Sequence, residues 1–372
     1  MKRMKLWSYF LSVLLTLSLT ASAQLFRPLG LGFSGGERQG NLSQPRMHVE
    51  GEKLYVCTSQ GLYTKDLTDD NSAWQQAGFE GIPLQGYVRR GADILALRYN
   101  EGGEYLLLSH DGGKTYEDVT PDIFRNGEHE RLGCLVQHPT DLNTLLVASL
   151  YKGVFRSIDY GQTWEQLTKY VYGNPAAYFI GFHPARPNII YNSGEDLIFQ
   201  GHINITYDGG QTWNDHGNSL GFPGDNCIHQ IAFHPTNPDH WIAGGEGCVF
   251  LTDDNGQTWD CQNYWGDEAR SAYWYFTAFD DEHPDTVYMA GCLGLHGQKK
   301  NACIKIMCST DGGRSWYESH EIESTRESDR VTDLQQYHDH LLIYAESGVY
   351  SVSKADLIVQ STAASAPSLQ TR

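Results

Sequence analysis

The sequence predicts an all-β fold assembled from repeated strand units, and three observations carry that prediction. A short motif, Ser/Thr-x-Asp-x-Gly-x-Thr/Ser-aromatic, occurs five times at intervals of 46 to 57 residues. Between its copies runs a second periodic element, an apolar strand, a His-Pro turn and another apolar strand. Strand and turn formers also dominate the composition, with 39 Gly and 22 Tyr against 19% charged residues. A fixed period of this length marks stacked supersecondary units.

In chain order, residues 1–23 read as an export leader. Lys2, Arg3 and Lys5 form a basic start, 6–19 is apolar, and Ala21-Ser22-Ala23 is a small-residue cleavage site before Gln24. No Cys follows that site, so no lipid anchor is expected, and no later apolar run is long enough to span a bilayer. The style is bacterial and the expected address is periplasmic or extracellular.

Leu54-Tyr55-Val56-Cys57 and Gly61-Leu62-Tyr63-Thr64 then read as two strands of a first unit, with Trp74 where a degenerate motif would place its aromatic. The clear motifs follow at 109–116, 157–164, 206–213, 252–259 and 309–316, with their acidic positions at Asp111, Asp159, Asp208, Asp254 and Asp311. In each, Asp can accept backbone N–H groups across a tight turn, Gly supplies positive φ, and the hydroxyl closes the loop. The aromatic, which buries about 150–250 Å² in the case of Trp, anchors the turn against the neighbouring unit. Repetition in every unit assigns these Asp residues a structural role.

The His-Pro element stands at His138-Pro139, His183-Pro184 and His234-Pro235, with a variant at His283-Pro284 before Val287-Tyr288-Met289. One histidine per unit at a hairpin is read as structural, and no metal ligand set is expected. After the last motif, 341–345 and 348–352 are two more strands without a box. The count is seven units. The last lacks its outer part, so the segment near 25–33 is expected to supply a closing strand that ties the chain ends together and removes an exposed edge.

The motif is that of the Asp-box, or BNR repeat, and the chain resembles the Asp-box β-propellers: sialidases, xyloglucanase-type glycoside hydrolases, sortilin-like receptors and Ycf48-type assembly factors. The resemblance covers most of the chain after the leader. It implies a single seven-bladed β-propeller of four-stranded antiparallel blades with Asp-box turns over 24–358, followed by a flexible tail at 359–372.

Without the leader, 24 basic side chains face 45 acidic ones, a net charge of −21. That excludes nucleic acid and anionic lipid surfaces as partners, while a few local Arg residues still suffice for an acidic sugar. Eight cysteines in an exported chain make disulfides plausible, and Cys292 and Cys303 bracket a loop they would staple if paired. The other six read as buried thiols in or beside strands. No C-x₂-C pair is present, so no zinc cluster is expected, and no cofactor is implied.

In a four-stranded blade the motif turn and the His-Pro turn share one rim. Function in a propeller falls to the opposite rim, made of second-to-third loops and blade-to-blade crossovers. The segment 263–276 places aromatic rings, two carboxylates and an Arg together, a mixture that stacks on sugar faces and bonds hydroxyls. Tyr264, Trp265 and Arg270 are its binding candidates, Asp267 and Glu268 its candidate acid and base. The segment 125–131 offers a second set, with Glu128 and His129 as candidate catalytic groups and Arg125 and Arg131 as binding cations.

Glycoside hydrolysis needs two carboxylates about 5–9.5 Å apart across the bond. The departures from the resembled enzymes bear on whether this chain has them. Xyloglucanase-type enzymes look like two tandem propellers with a catalytic Asp in a Thr-Asp-x-Gly-Gly segment; here the corresponding place reads Cys57-Thr58-Ser59-Gln60-Gly61, with Ser59 at the acidic position. Sialidases carry an Arg-Ile-Pro segment, whereas this chain reads Phe26-Arg27-Pro28. A propeller lyase would draw its base and cation from His129, His202, His229, Tyr172, Arg125 or Arg131. Two readings follow: an exported propeller that binds or processes glycans, and a noncatalytic scaffold that holds another protein on its face.

Overall fold

The computed structural model describes residues 25–31, 46–99, 105–125, 132–149, 152–168, 176–195, 201–216, 228–245, 247–263, 272–293, 303–323 and 329–361. Seven four-stranded antiparallel sheets form seven blades of a β-propeller. Blade one comprises Met47–Glu50, Lys53–Thr58, Gly61–Asp66 and Gln75–Gly78, running from the inner to the outer strand. Blades two to six repeat that order, and blade seven differs at its edge. Its inner three strands are Val331–Tyr337, His340–Ala345 and Gly348–Ser353, and its outer strand is Arg27–Gly30 from the start of the fold. The expected closing strand is therefore present.

Position within the blade explains the strand composition. Second strands lie between neighbouring blades and are buried on both faces, so Leu145–Ser149 and Trp241–Gly245 read as unbroken runs of apolar and small residues, every one buried. The outer strands of blades two to four are short and polar, Glu117–Asp118, Glu165–Gln166 and Asn214–Asp215, which suits an edge that must not recruit another strand. The core lies between blades. Cys134, Leu146, Ala148 and Val154 of blade three pack on Ile180 and Ile190 of blade four, and Leu342 and Val349 of blade seven pack on Met47, Leu54 and Val56 of blade one.

The five motif turns share one hydrogen-bond pattern. In the Ser157 copy, the hydroxyl donates to Asp159 Oδ1 at 2.8 Å and accepts the Gly161 N–H at 2.8 Å. Asp159 then accepts the Thr163 N–H on Oδ1 and the Thr163 hydroxyl on Oδ2. Trp164 Nε1 donates to the Gly161 carbonyl at 3.1 Å, and the ring packs in the cluster shared by blades two and three. Glycine is required here twice over: Gly161 has φ +89°, and a Cβ would lie 2.7 Å from Leu95 of the preceding blade. Each motif turn is also tied to the first hairpin of its own blade, as in Tyr160 N–H to the Asn143 carbonyl and Gly209 N–H to the Asn188 carbonyl.

The His-Pro histidines cap those first hairpins. His183 Nδ1 accepts the Ala185 and Arg186 N–H groups, and Nε2 reaches the Pro238 carbonyl of blade five at 2.8 Å; burial lowers its pKa and favours this neutral form. His138 and His234 cap in the same way. In blade six the assignment of this place to His283 is corrected. Asp280 Oδ1 accepts the Glu282 and His283 N–H groups, and the Asp280 N–H bonds the Thr286 carbonyl just as the His183 N–H bonds that of Ile189. A carboxylate does the work of the imidazole because both present an acceptor to the same two amides.

The Cys292–Cys303 staple is also corrected. The register sets Cys292 opposite Ile304 and Leu293 opposite Cys303, so the two cysteines are not opposite one another. Cys292 is a buried free thiol. Trp74, placed as the aromatic of a degenerate motif, stands just before the outer strand of blade one, but its Nε1 donates to the Leu29 carbonyl of the closing strand at 2.9 Å. The fold ends in a helix, Lys354–Ser361, with Leu357 buried and Lys354 Nζ paired to Asp280 at 3.0 Å.

Candidate functional site

The rim that carries the motif turns and the His-Pro turns is occupied by internal bonds. Hydrogen bonds hold its carboxylates: the Thr115 amide and hydroxyl draw the pKa of Asp111 down to about 2, and the Thr212 hydroxyl and amide do the same for Asp208. Side chains also clasp neighbouring blades along this rim. Arg186 joins Asp239, Arg314 joins Asp253, and Arg156 donates to the Gly209 carbonyl.

The opposite rim is where the inner strands begin and where the second-to-third loops turn. Glu128, His129, Arg131, Tyr264, Trp265, Asp267, Glu268 and Arg270 all lie outside the described residues, as does Tyr172. Arg125 is described at the end of a short helix, Asp122–Arg125. Its guanidinium is drawn back onto its own loop, with Nε to the Thr120 carbonyl at 2.9 Å and a 2.6 Å ion pair to Asp118. The aromatic run that follows the 264–270 segment turns inward: Tyr273, Trp274, Tyr275 and Phe276 are all buried in the inner strand of blade six.

The two described histidines of the lyase set are buried as well. His229 packs at a tilt against Tyr275 with ring centroids 4.6 Å apart, burial pushes its pKa down to about 3, and its Nε2 has no hydrogen-bond partner among the described residues. His202 Nδ1 meets Asp215 at 3.0 Å. Arg27 lies in the closing strand at the outer edge of blade seven and pairs with Asp70 there.

The place where the xyloglucanase resemblance puts an Asp is a closed two-residue hairpin between Lys53–Thr58 and Gly61–Asp66. Thr58 Oγ1 donates to the Gly61 carbonyl at 2.8 Å and accepts the Gln60 N–H at 3.0 Å. Gly61 has φ +114°, and a Cβ on it would meet the Phe79 carbonyl at 2.4 Å. Ser59 and Gln60 supply no carboxylate. Nearby, at the seam of the ring, Asp333 is a buried acid that sequence reading missed. Its Oδ2 accepts the N–H groups of Arg46 and Met47 across blades seven and one, and its Oδ1 accepts the Leu334 N–H. Burial outweighs those bonds and raises its pKa to about 6.

No protein-family model matches the sequence, and no curated protein matches it. Solved structures match the fold. A GH74 xyloglucanase from Xanthomonas campestris aligns with a TM-score of 0.58 at 17% identity, over 88% of this chain and 53% of that one. YCF48 from Cyanidioschyzon merolae aligns with a TM-score of 0.58 at 12% identity, over 88% of this chain and 98% of that one. A YCF48 bound to a D1 peptide aligns with a TM-score of 0.55 at 13% identity, over 83% and 91%. The chain is thus a seven-bladed propeller similar to GH74 xyloglucanases and to YCF48, and it spans about half the length of the xyloglucanase.

Proposed function

We propose that this chain is an exported, noncatalytic binding propeller that holds a glycan on the rim opposite its motif turns. The observation that carries the noncatalytic part is the 58–61 hairpin, closed by its own hydrogen bonds and carrying Ser59 and Gln60 where the resembled hydrolases place an acid. Without that group, glycan recognition is the part of that likeness that this chain retains. The glycan is assigned to the aromatic and charged segment at 264–270, whose Tyr264, Trp265 and Arg270 supply ring faces and a cation.

A second reading, a scaffold for a protein segment, is favoured by the near-complete coverage of YCF48, one structure of which binds a D1 peptide. Incubation with a panel of neutral and acidic polysaccharides, followed by product mass spectrometry and affinity electrophoresis, separates the cases. Retarded migration with no new product is the expected result, and Trp265→Ala abolishes the retardation. Products that have gained water, or unsaturated products, would overturn the noncatalytic reading. No retardation by any polysaccharide transfers the rim to the protein-docking reading.

A further inference from the structure

Cys248 opens the third strand of blade five, Cys248–Thr252, and Cys261 lies in the outer strand, Asp260–Asn263. Their antiparallel register sets Cys248 opposite Asn263 and Phe250 opposite Cys261. The two cysteines are therefore diagonal neighbours on one face of the blade, and both join the cluster that packs against Ile203 and Ile205 of blade four. The two side chains are joined across that face by a hydrogen bond between the thiols. That bond lowers the pKa of Cys261, which is also the only one of the described free thiols that is not fully buried. Burial instead raises the pKa values of Cys134, Cys292 and Cys308 to about 12 and leaves these thiols inert.

We propose that Cys248 and Cys261 are a redox pair that oxidises to a disulfide, stapling the outer strand of blade five to its third strand. The oxidant is a small-molecule disulfide of the glutathione class, available in the oxidising compartment that an export leader implies. Cys261, as thiolate, attacks one sulfur of that disulfide and expels one thiolate. The Cys248 sulfur then attacks the mixed disulfide, the S–S bond forms between the two cysteines, and the second thiol leaves. Two cysteine thiols and one disulfide become one cystine and two thiols, which carry both protons away. The staple acts on an edge strand that continues directly into the 264–270 segment, so oxidation fixes the point from which that segment departs.

The test incubates the purified full chain with oxidised glutathione, alkylates the remaining thiols and cleaves without reduction at Asp253 or Asp254, which lie between the cysteines. The expected result is a cross-linked peptide pair lighter by two hydrogens than the two thiol peptides, released by dithiothreitol. Cys248→Ser should instead retain glutathione on Cys261, and Cys261→Ser should leave Cys248 unmodified. A second reading needs no variant: the oxidised wild type should unfold at a higher temperature than the reduced form. Recovery of both residues as alkylated thiols, or of either joined to a different cysteine, overturns the proposal.

Discussion

Each motif Asp satisfies an amide and a hydroxyl of the same Thr or Ser, four residues on, and these bonds exist only when the turn is folded. Because folding lowers the pKa of Asp111 and Asp208 from 3.8 to about 2, the stability they carry is fully present above 3.8. It is lost as pH falls through about 2, since the unfolded chain takes up the protons first. Urea midpoints measured at steps between pH ~5 and ~2 should therefore fall steeply on the acid side, and Asp208→Asn should flatten that limb. The motif aromatics carry weight through packing as well as through Nε1. Trp164→Ala removes the ring from the cluster of blades two and three and should destabilise by about 3 kcal/mol by chemical denaturation. An unchanged midpoint would show that the ring is only a cover.

At the scale of elements, the hairpin cap of blade six shows how sequence reading reaches a structure and where it stops. The histidine caps of blades three to five were visible because His-Pro repeats, but Asp280 keeps the spacing of its counterparts without their residue type or the following proline. Only the hydrogen bonds to Glu282 and His283 reveal it. Asp280 is buried, and its Oδ2 faces both Lys354 and the Tyr288 hydroxyl. Asp280→Ala leaves the lysine at the start of the terminal helix without its partner and should cost about 3 kcal/mol in denaturation midpoint. His283→Ala should cost far less, since the exposed side chain caps nothing across blades. The closing strand was legible because blade seven lacked a fourth strand. The opposite rim was not, because loops that carry function have no period for the sequence to repeat. The Cys248–Cys261 contact was hidden for a related reason: strand register, rather than spacing along the chain, sets which cysteines meet.

At the scale of the whole molecule, a propeller has one seam, and here two devices close it. The strand Arg27–Gly30 completes the outer edge of blade seven, and Trp74 of blade one holds it from outside through the Leu29 carbonyl. Near the axis, Asp333 of blade seven binds the amides that start the inner strand of blade one. The two act at different radii, so they are separable. Removing residues 25–30 bares the edge of Gly348–Ser353 and should yield a chain that self-associates in sedimentation, because an unpaired strand is a template for another.

The inner device has a distinct signature in pH. Folding raises the pKa of Asp333 from 3.8 to about 6, so its contribution is fully present below 3.8 and is lost as pH rises through about 6. That slope is opposite in sign to the one from the motif turns, and the two together place maximal stability between them. Asp333→Ala leaves the Arg46 and Met47 amides unpaired in the interior and should cost about 3 kcal/mol. It should also abolish the decline in denaturation midpoint expected of the wild type between pH ~4 and ~6. If the variant keeps that decline, the neutral-side slope belongs to another group, and Asp333 closes the seam as a carboxylate at every pH of the folded protein.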